Sequence, residues 1–233
     1  MSTINAGRVG YIIGTGGSSF ATSRTANGSA VTDSPTGNEL NPIQSFYSSG
    51  RGGGTYRQTR TYIYFDTSGI TGTVTSATLK ITSPTSTTTS DVIVLNGQNA
   101  FGGDGNTALN VDDFDEVNMA GINEAFSSQF TPWVASSVNS ISLNSNALSA
   151  LASDNDTVMG VMNYTNDYQN SAPATSPYSV GAGIAFGTTI QLEYFEAGEG
   201  PANVKKLNSV GSQDISKWNG VSWADIVALN SVT

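Results

Sequence analysis

The chain contains neither cysteine nor histidine. That double absence excludes disulfides, thiol nucleophiles, imidazole general bases and the usual zinc ligand sets. It leaves the redox compartment open, because a cysteine-free chain suits any of them. Charge is scarce too. Asp, Glu, Lys and Arg make up 12% of the residues, about half the usual globular share. No Lys or Arg occurs between Lys80 and Lys205, while acids continue throughout, and the net charge is −9. Such a surface repels phosphates, so no nucleic-acid partner is expected. No apolar run approaches the length of a membrane span, and no membrane partner is expected. The first thirty residues have no continuous apolar segment of the signal-peptide kind. A protein made and kept in a host cytoplasm, or released by lysis, is the expectation.

Ser, Thr, Asn and Gly fill the space that charge leaves, a composition suited to β structure with many turns. The strongest strand is "RTYIYFDTSGI": Thr61, Ile63 and Phe65 fall on one face, Tyr62 and Tyr64 on the other. "VTSATLKI" alternates with Ala77, Leu79 and Ile81 inward, and "DVIVL" follows after a polar loop. This reads as an antiparallel run. "RVGYII", "SSFAT", "VNSISL", "TVMGVMNY" and "TTIQLEYF" are further strands, with a polar, proline-bearing loop between the last two. "NSNALSALASD" reads as a short helix capped by Asn144 or Ser145. The glycine-rich "GTGG" and "SSGRGGGTY" lack the Gly-Lys-Ser/Thr of a phosphate loop and read as turns. So many short strands call for two packed sheets. The predicted class is all-β, an antiparallel β-sandwich or jelly roll with a short helix and a small C-terminal repeat tail. Residues 56–196 form the sandwich. Residues 1–55 are an arm or its first strands. Residues 197–233 are a linker, "EAGEGPAN", and a tail.

"YRQTRTYIYFDTSGITGTVTSATLKI" resembles the DNRLRE-type jelly-roll modules, which are similar in shape to carbohydrate-binding modules. Arg60, Phe65-Asp66, Ile70 and the run from Val74 to Leu79 carry the resemblance. "NSISLNSNALSAL" and "TVMGVMNYTNDYQNSAP" resemble a form of this module seen in phage and environmental sequences, and the match spans about residues 56–195. It implies a fold more than an activity.

The end of the chain repeats itself. Leu207-Asn208-Ser209-Val210, Trp218-Asn219-Gly220-Val221 and Leu229-Asn230-Ser231-Val232 are eleven residues apart, and Val204, Ile215 and Ile226 keep that spacing. Asp214 and Asp225 suit the caps of single helical turns that Asn-Gly would close. Units such as "DISKWNGV" resemble the short Ile-x-Lys-x-Asn-Gly-Val units at the ends of tailed-phage virion proteins. Eleven-residue units are too small for a core of their own. Leu207, Val210, Ile215, Trp218, Val221, Ile226, Leu229 and Val232 are therefore candidates for docking or oligomerisation. Folding back onto the sandwich is the alternative.

Chemistry has few candidates. With no histidine, a serine nucleophile lacks its usual base, and Asp66 and Glu193 read as exposed or structural acids; no enzyme activity is expected. Asp112, Asp113 and Asp115 in "NVDDFDEVN" offer oxygen ligands suited to Ca²⁺, without the spacing of an EF-hand; a solvated acidic loop is the favoured reading. Trp133, Tyr164, Tyr168 and Tyr178 are candidates for stacking on a glycan, with Asn163, Asn166 and Asp167 near them in sequence. The reading reached is a non-enzymatic structural protein of a tailed-phage virion: a capsid decoration, head fibre or tail appendage. Its partners would be a major capsid or tail protein and copies of itself, as in a trimer. The alternative is a module that binds a surface glycan.

Overall fold

The computed structural model describes residues 1–25, 27–51, 53–84, 90–115 and 125–197, together with the strand backbone at 206–207, 210–211, 217–218 and 221–222. The fold is an all-β antiparallel sandwich. One sheet has four strands in the order β1 (Ser2–Asn5), β11 (Gln191–Glu196), β6 (Val74–Thr82), β8 (Val138–Ser142). The other has seven: β10 (Tyr178–Ala185), β4 (Asn38–Ser48), β5 (Thr55–Asp66), β2 (Arg8–Thr15) and β3 (Ala30–Asp33) in order, with β9 (Asp156–Asn163) on β5 and β7 (Val92–Asn96) on β9. Residues 2–48 thus supply strands to both sheets.

The long strand β5 organises the molecule. Along one edge it pairs with β2 from Arg57 to Tyr64. Along the other, β4 covers Thr55 to Thr59 and β9 covers Thr61 to Asp66. Arg60 sits at the seam where one partner gives way to the next.

Period-two alternation sends Ile63 and Phe65 into the core between the sheets, with Ala77, Leu79 and Ile81 of β6 opposite. The other face of β5 is buried as well. Tyr62 is fully buried in a second core with Ile12, Ile93, Leu95, Phe101, Leu109, Phe114, Val158 and Met162. Irregular chain from Asn99 to Asp115 supplies its roof, including single 3-10 turns at Ala100–Gly102 and Val111–Asp115. The seven-stranded sheet is therefore a middle layer. Gly10 and Gly14 of β2 admit this roof: a Cβ on Gly10 would stand 2.7 Å from Leu109, and one on Gly14 2.3 Å from the Phe114 ring.

Helix α2 (Ser145–Ser153) forms where the sequence places it. The Asn144 side chain accepts from the backbone N–H of Asn146 and Ala147, and Ala147 and Leu151 are buried. Such a cap contributes about 1 kcal/mol. Three expectations need correction. "SSFAT" is not a strand: Phe20–Thr25 is helix α1, with Ser23 and Arg24 facing inward. β5, β6 and β7 are not successive neighbours, since β6 lies in the opposite sheet and β7 pairs with β9. The loop expected before the last strand contains β10, which pairs along β4.

In the tail, β12 (Lys206–Leu207) pairs with β13 (Val210–Gly211), and β14 (Lys217–Trp218) with β15 (Val221–Ser222). Leu207 stands opposite Val210, and Trp218 opposite Val221. Lys217 and Trp218, which the sequence placed in a helical turn, pair as a strand instead; residues 208–209 and 219–220 lie outside the described residues. Asp214, Ile215, Asp225, Ile226, Leu229 and Val232 lie outside the described residues.

Candidate functional site

β9 leaves the sheet at Asn163, and one wide helical turn, Tyr164–Tyr168, carries the chain across the face of β5. The Asn163 side chain caps this turn by accepting from the Asn166 N–H. The turn brings Asp167 over Arg60. Arg60 donates from Nε to Asp167 Oδ2 at 2.7 Å and from Nη2 to Oδ1 at 2.8 Å. Nη1 and Nη2 also donate to the carbonyls of Phe114 and Arg24, both at 2.8 Å, and the guanidinium lies 4.0 Å from the centre of the Phe114 ring. Arg24 of α1 closes the network, with Nε donating to the Asp167 carbonyl and Nη1 to Asn170 Oδ1. Burial alone would lower the pKa of Arg60, but the Asp167 charge and hydrogen bonds outweigh it and the net direction is up. For Arg24 burial dominates and the direction is down, against the pull of Asp167. Neither arginine is a surface group of a loose arm. Both pin loops and α1 to the sheet.

The tyrosines sit around this network. The rings of Tyr164 and Tyr168 stack 5.6 Å apart, and Tyr178 donates from its hydroxyl to Asn166 Oδ1 at 2.8 Å. All three are partly exposed. The structure adds Tyr47 and Tyr56, which the sequence reading missed: they stand in one row with Tyr178, directly opposite one another on β10, β4 and β5. Tyr47 and Tyr56 stack at 4.2 Å, and Phe20 meets Tyr56 edge-on. The signal was present as aromatics at strand ends, but the strand pairing that aligns them is not readable from one sequence.

Trp133 must be withdrawn from the glycan candidates. It is 3% exposed, in the core between the sheets. Its indole N–H donates to Ser83 Oγ at 3.1 Å and the Gly183 carbonyl at 3.2 Å. No ring face is open to a sugar.

The acids have structural partners. Asp113 is buried and accepts from the Asn110 N–H, while Asp112 accepts from the Asn27 side chain. Asp115 is exposed at the end of the same turn. Among the described residues no three Asp, Glu, His or Cys side chains converge as a metal site would require, so of the two readings of Asp112, Asp113 and Asp115 these bonds fit the acidic loop. Glu193 pairs with Lys80 at 2.6 Å on the outer face of the four-stranded sheet. Asp66 accepts from the N–H and hydroxyl of Ser68. One cleft of about 390 Å³ lies between the turns at Ala6–Val9, Ser34–Thr36 and Phe186–Ile190, and its lining contains no acid and a single cation, Arg8.

No protein-family model matches this chain, and no curated protein matches it either.

Proposed function

We propose that this chain is a non-enzymatic structural protein of a tailed-phage virion, a capsid decoration, head fibre or tail appendage. The sandwich is displayed, and the C-terminal repeats attach it to a capsid or tail protein or join copies of the chain. The observation that carries the reading is the tail. Two antiparallel strand pairs of the same register recur eleven residues apart, Lys206–Leu207 with Val210–Gly211 and Lys217–Trp218 with Val221–Ser222, and the sequence repeats the unit a third time. Small repeated hairpins cannot bury their own apolar residues. Leu207, Val210, Trp218, Val221, Leu229 and Val232 then seek a surface outside the hairpin, and a repeated unit suits a repeated or symmetric partner. The use of Arg60, Asp167, Asp113 and Glu193 in structural bonds fits a protein that does no chemistry. The mass of the chain in solution, with and without its tail, tests the attachment role.

A second reading, recognition of a surface polysaccharide, is favoured by the half-exposed Tyr164–Tyr168 stack and the row Tyr178, Tyr47, Tyr56. Flat rings beside amide groups are the usual sugar platform. A displayed virion protein would serve both roles. If it holds, a Tyr164→Ala/Tyr168→Ala variant loses retention on a host polysaccharide column while keeping its unfolding midpoint. Equal retention by both proteins would remove this reading.

A further inference from the structure

The face of β5 that carries Arg60 continues outward with Gln58 and then Tyr56, because alternate residues share a face. Directly opposite Gln58 stand Ser45 of β4 and Gly14 of β2. Gln58 and Ser45 are both 0% exposed. The Ser45 hydroxyl and both polar atoms of the Gln58 amide have no hydrogen-bond partner in the protein. Polar groups nearby are bonded: Arg60 one step inward donates to Asp167 and to the carbonyls of Phe114 and Arg24, and Asn166 bonds to Tyr178 and the Ser171 carbonyl.

Three sides of this place are defined. Toward solvent, the next row is the stacked pair Tyr47–Tyr56. On the β2 side, the Phe114 ring and the Ser23 carbonyl fill the space above Gly14, at 2.3 and 2.7 Å from where a Cβ would stand. Inward lies the Arg60–Asp167 pair. Three adjacent orphan polar atoms in such a place are costly, and more so than holding a solvent molecule still. An internal water needs two to four polar partners, and these three atoms supply them. Opposed side chains of an antiparallel pair start about 4.5–5.5 Å apart at Cβ, and a serine facing a glutamine leaves space beside the shorter chain. We propose that this compartment is a solvent-binding site, in which one or two water molecules bridge Ser45 Oγ and the Gln58 amide beneath the Tyr47–Tyr56 stack.

A high-resolution crystal structure of the full chain tests this directly. A density peak within hydrogen-bond reach of Ser45 Oγ and of Gln58 Nε2 or Oε1 is expected. A direct Ser45–Gln58 bond with no solvent peak would overturn the proposal. Thermal unfolding of the full chain gives an independent reading. Ser45→Ala and Gln58→Leu are each expected to lower the midpoint by roughly 2–6 °C, because each strands the bridging water or its remaining partner. The double variant should fall no further than the worse single one. If each single change instead raises the midpoint, and the two gains add, the atoms are plain orphans and the site holds no water.

Discussion

Arg60 and Asp167 meet in a two-bonded fork at 2.7 and 2.8 Å, 107 residues apart in sequence and both buried. The fork joins the seam of β5 to the turn that leaves β9. Taking both charges out of water is expensive, so the pair adds little net stability, whereas breaking it leaves a buried charge alone. Asp167→Asn is therefore expected to cost about 3–5 kcal/mol in urea unfolding. A paired replacement, Arg60→Met with Asp167→Leu, should recover most of that loss. The pKa of Arg60 is raised, so its contribution is fully present below the ordinary arginine range and is lost only as pH rises beyond it.

Alkaline pH acts through the tyrosines. Burial, first of all, raises the pKa of Tyr62, and burial with the Asp156 hydrogen bond raises that of Tyr64. A folded-state value above the ordinary 10.0 means stability that is whole below that pH and is lost as pH rises through it. The unfolding midpoint should fall above about pH 10. Tyrosinate absorbance should show Tyr62 ionising only together with unfolding. A Tyr62→Phe variant with an unchanged alkaline slope would remove Tyr62 from this account.

The roof of the second core predicts a suppressor pair. Gly14→Ala drives a Cβ into the Phe114 ring, 2.3 Å away, and should cost about 1–3 kcal/mol. Phe114→Leu frees that space. The double variant should then be less destabilised than the sum of the two single changes, measured by denaturant midpoints.

Trp133 supports the sandwich from inside. Trp133→Ala should cost about 3–5 kcal/mol. Trp133→Phe, which keeps the ring but loses the two bonds to Ser83 and Gly183, should cost less. Neither change should alter polysaccharide retention of the protein that remains folded.

The inner faces of the strands were readable because alternation is local: Ile63 and Phe65, then Ala77, Leu79 and Ile81, are apolar at period two and meet in the core. The cap of α2 was readable for the same reason. The second core was not. Phe101, Leu109 and Phe114 sit in irregular chain, and nothing periodic announces that they roof a sheet. A lone aromatic such as Trp133 has no side in sequence. The Arg60–Asp167 fork depends on β9 leaving the sheet at the seam of β5, a relation set by strand order. In the tail, Asn-Gly suits both a helix end and a hairpin, so the motif alone did not announce that Lys217–Trp218 pairs with Val221–Ser222 as strands.

The most direct test of the attachment role is the mass in solution of the full chain and of a chain ending at Glu196, by light scattering over a range of concentrations. The account predicts a trimer or larger assembly for the full chain and a folded monomer for the shortened one. A full chain that stays monomeric at every concentration would contradict self-assembly through the repeats.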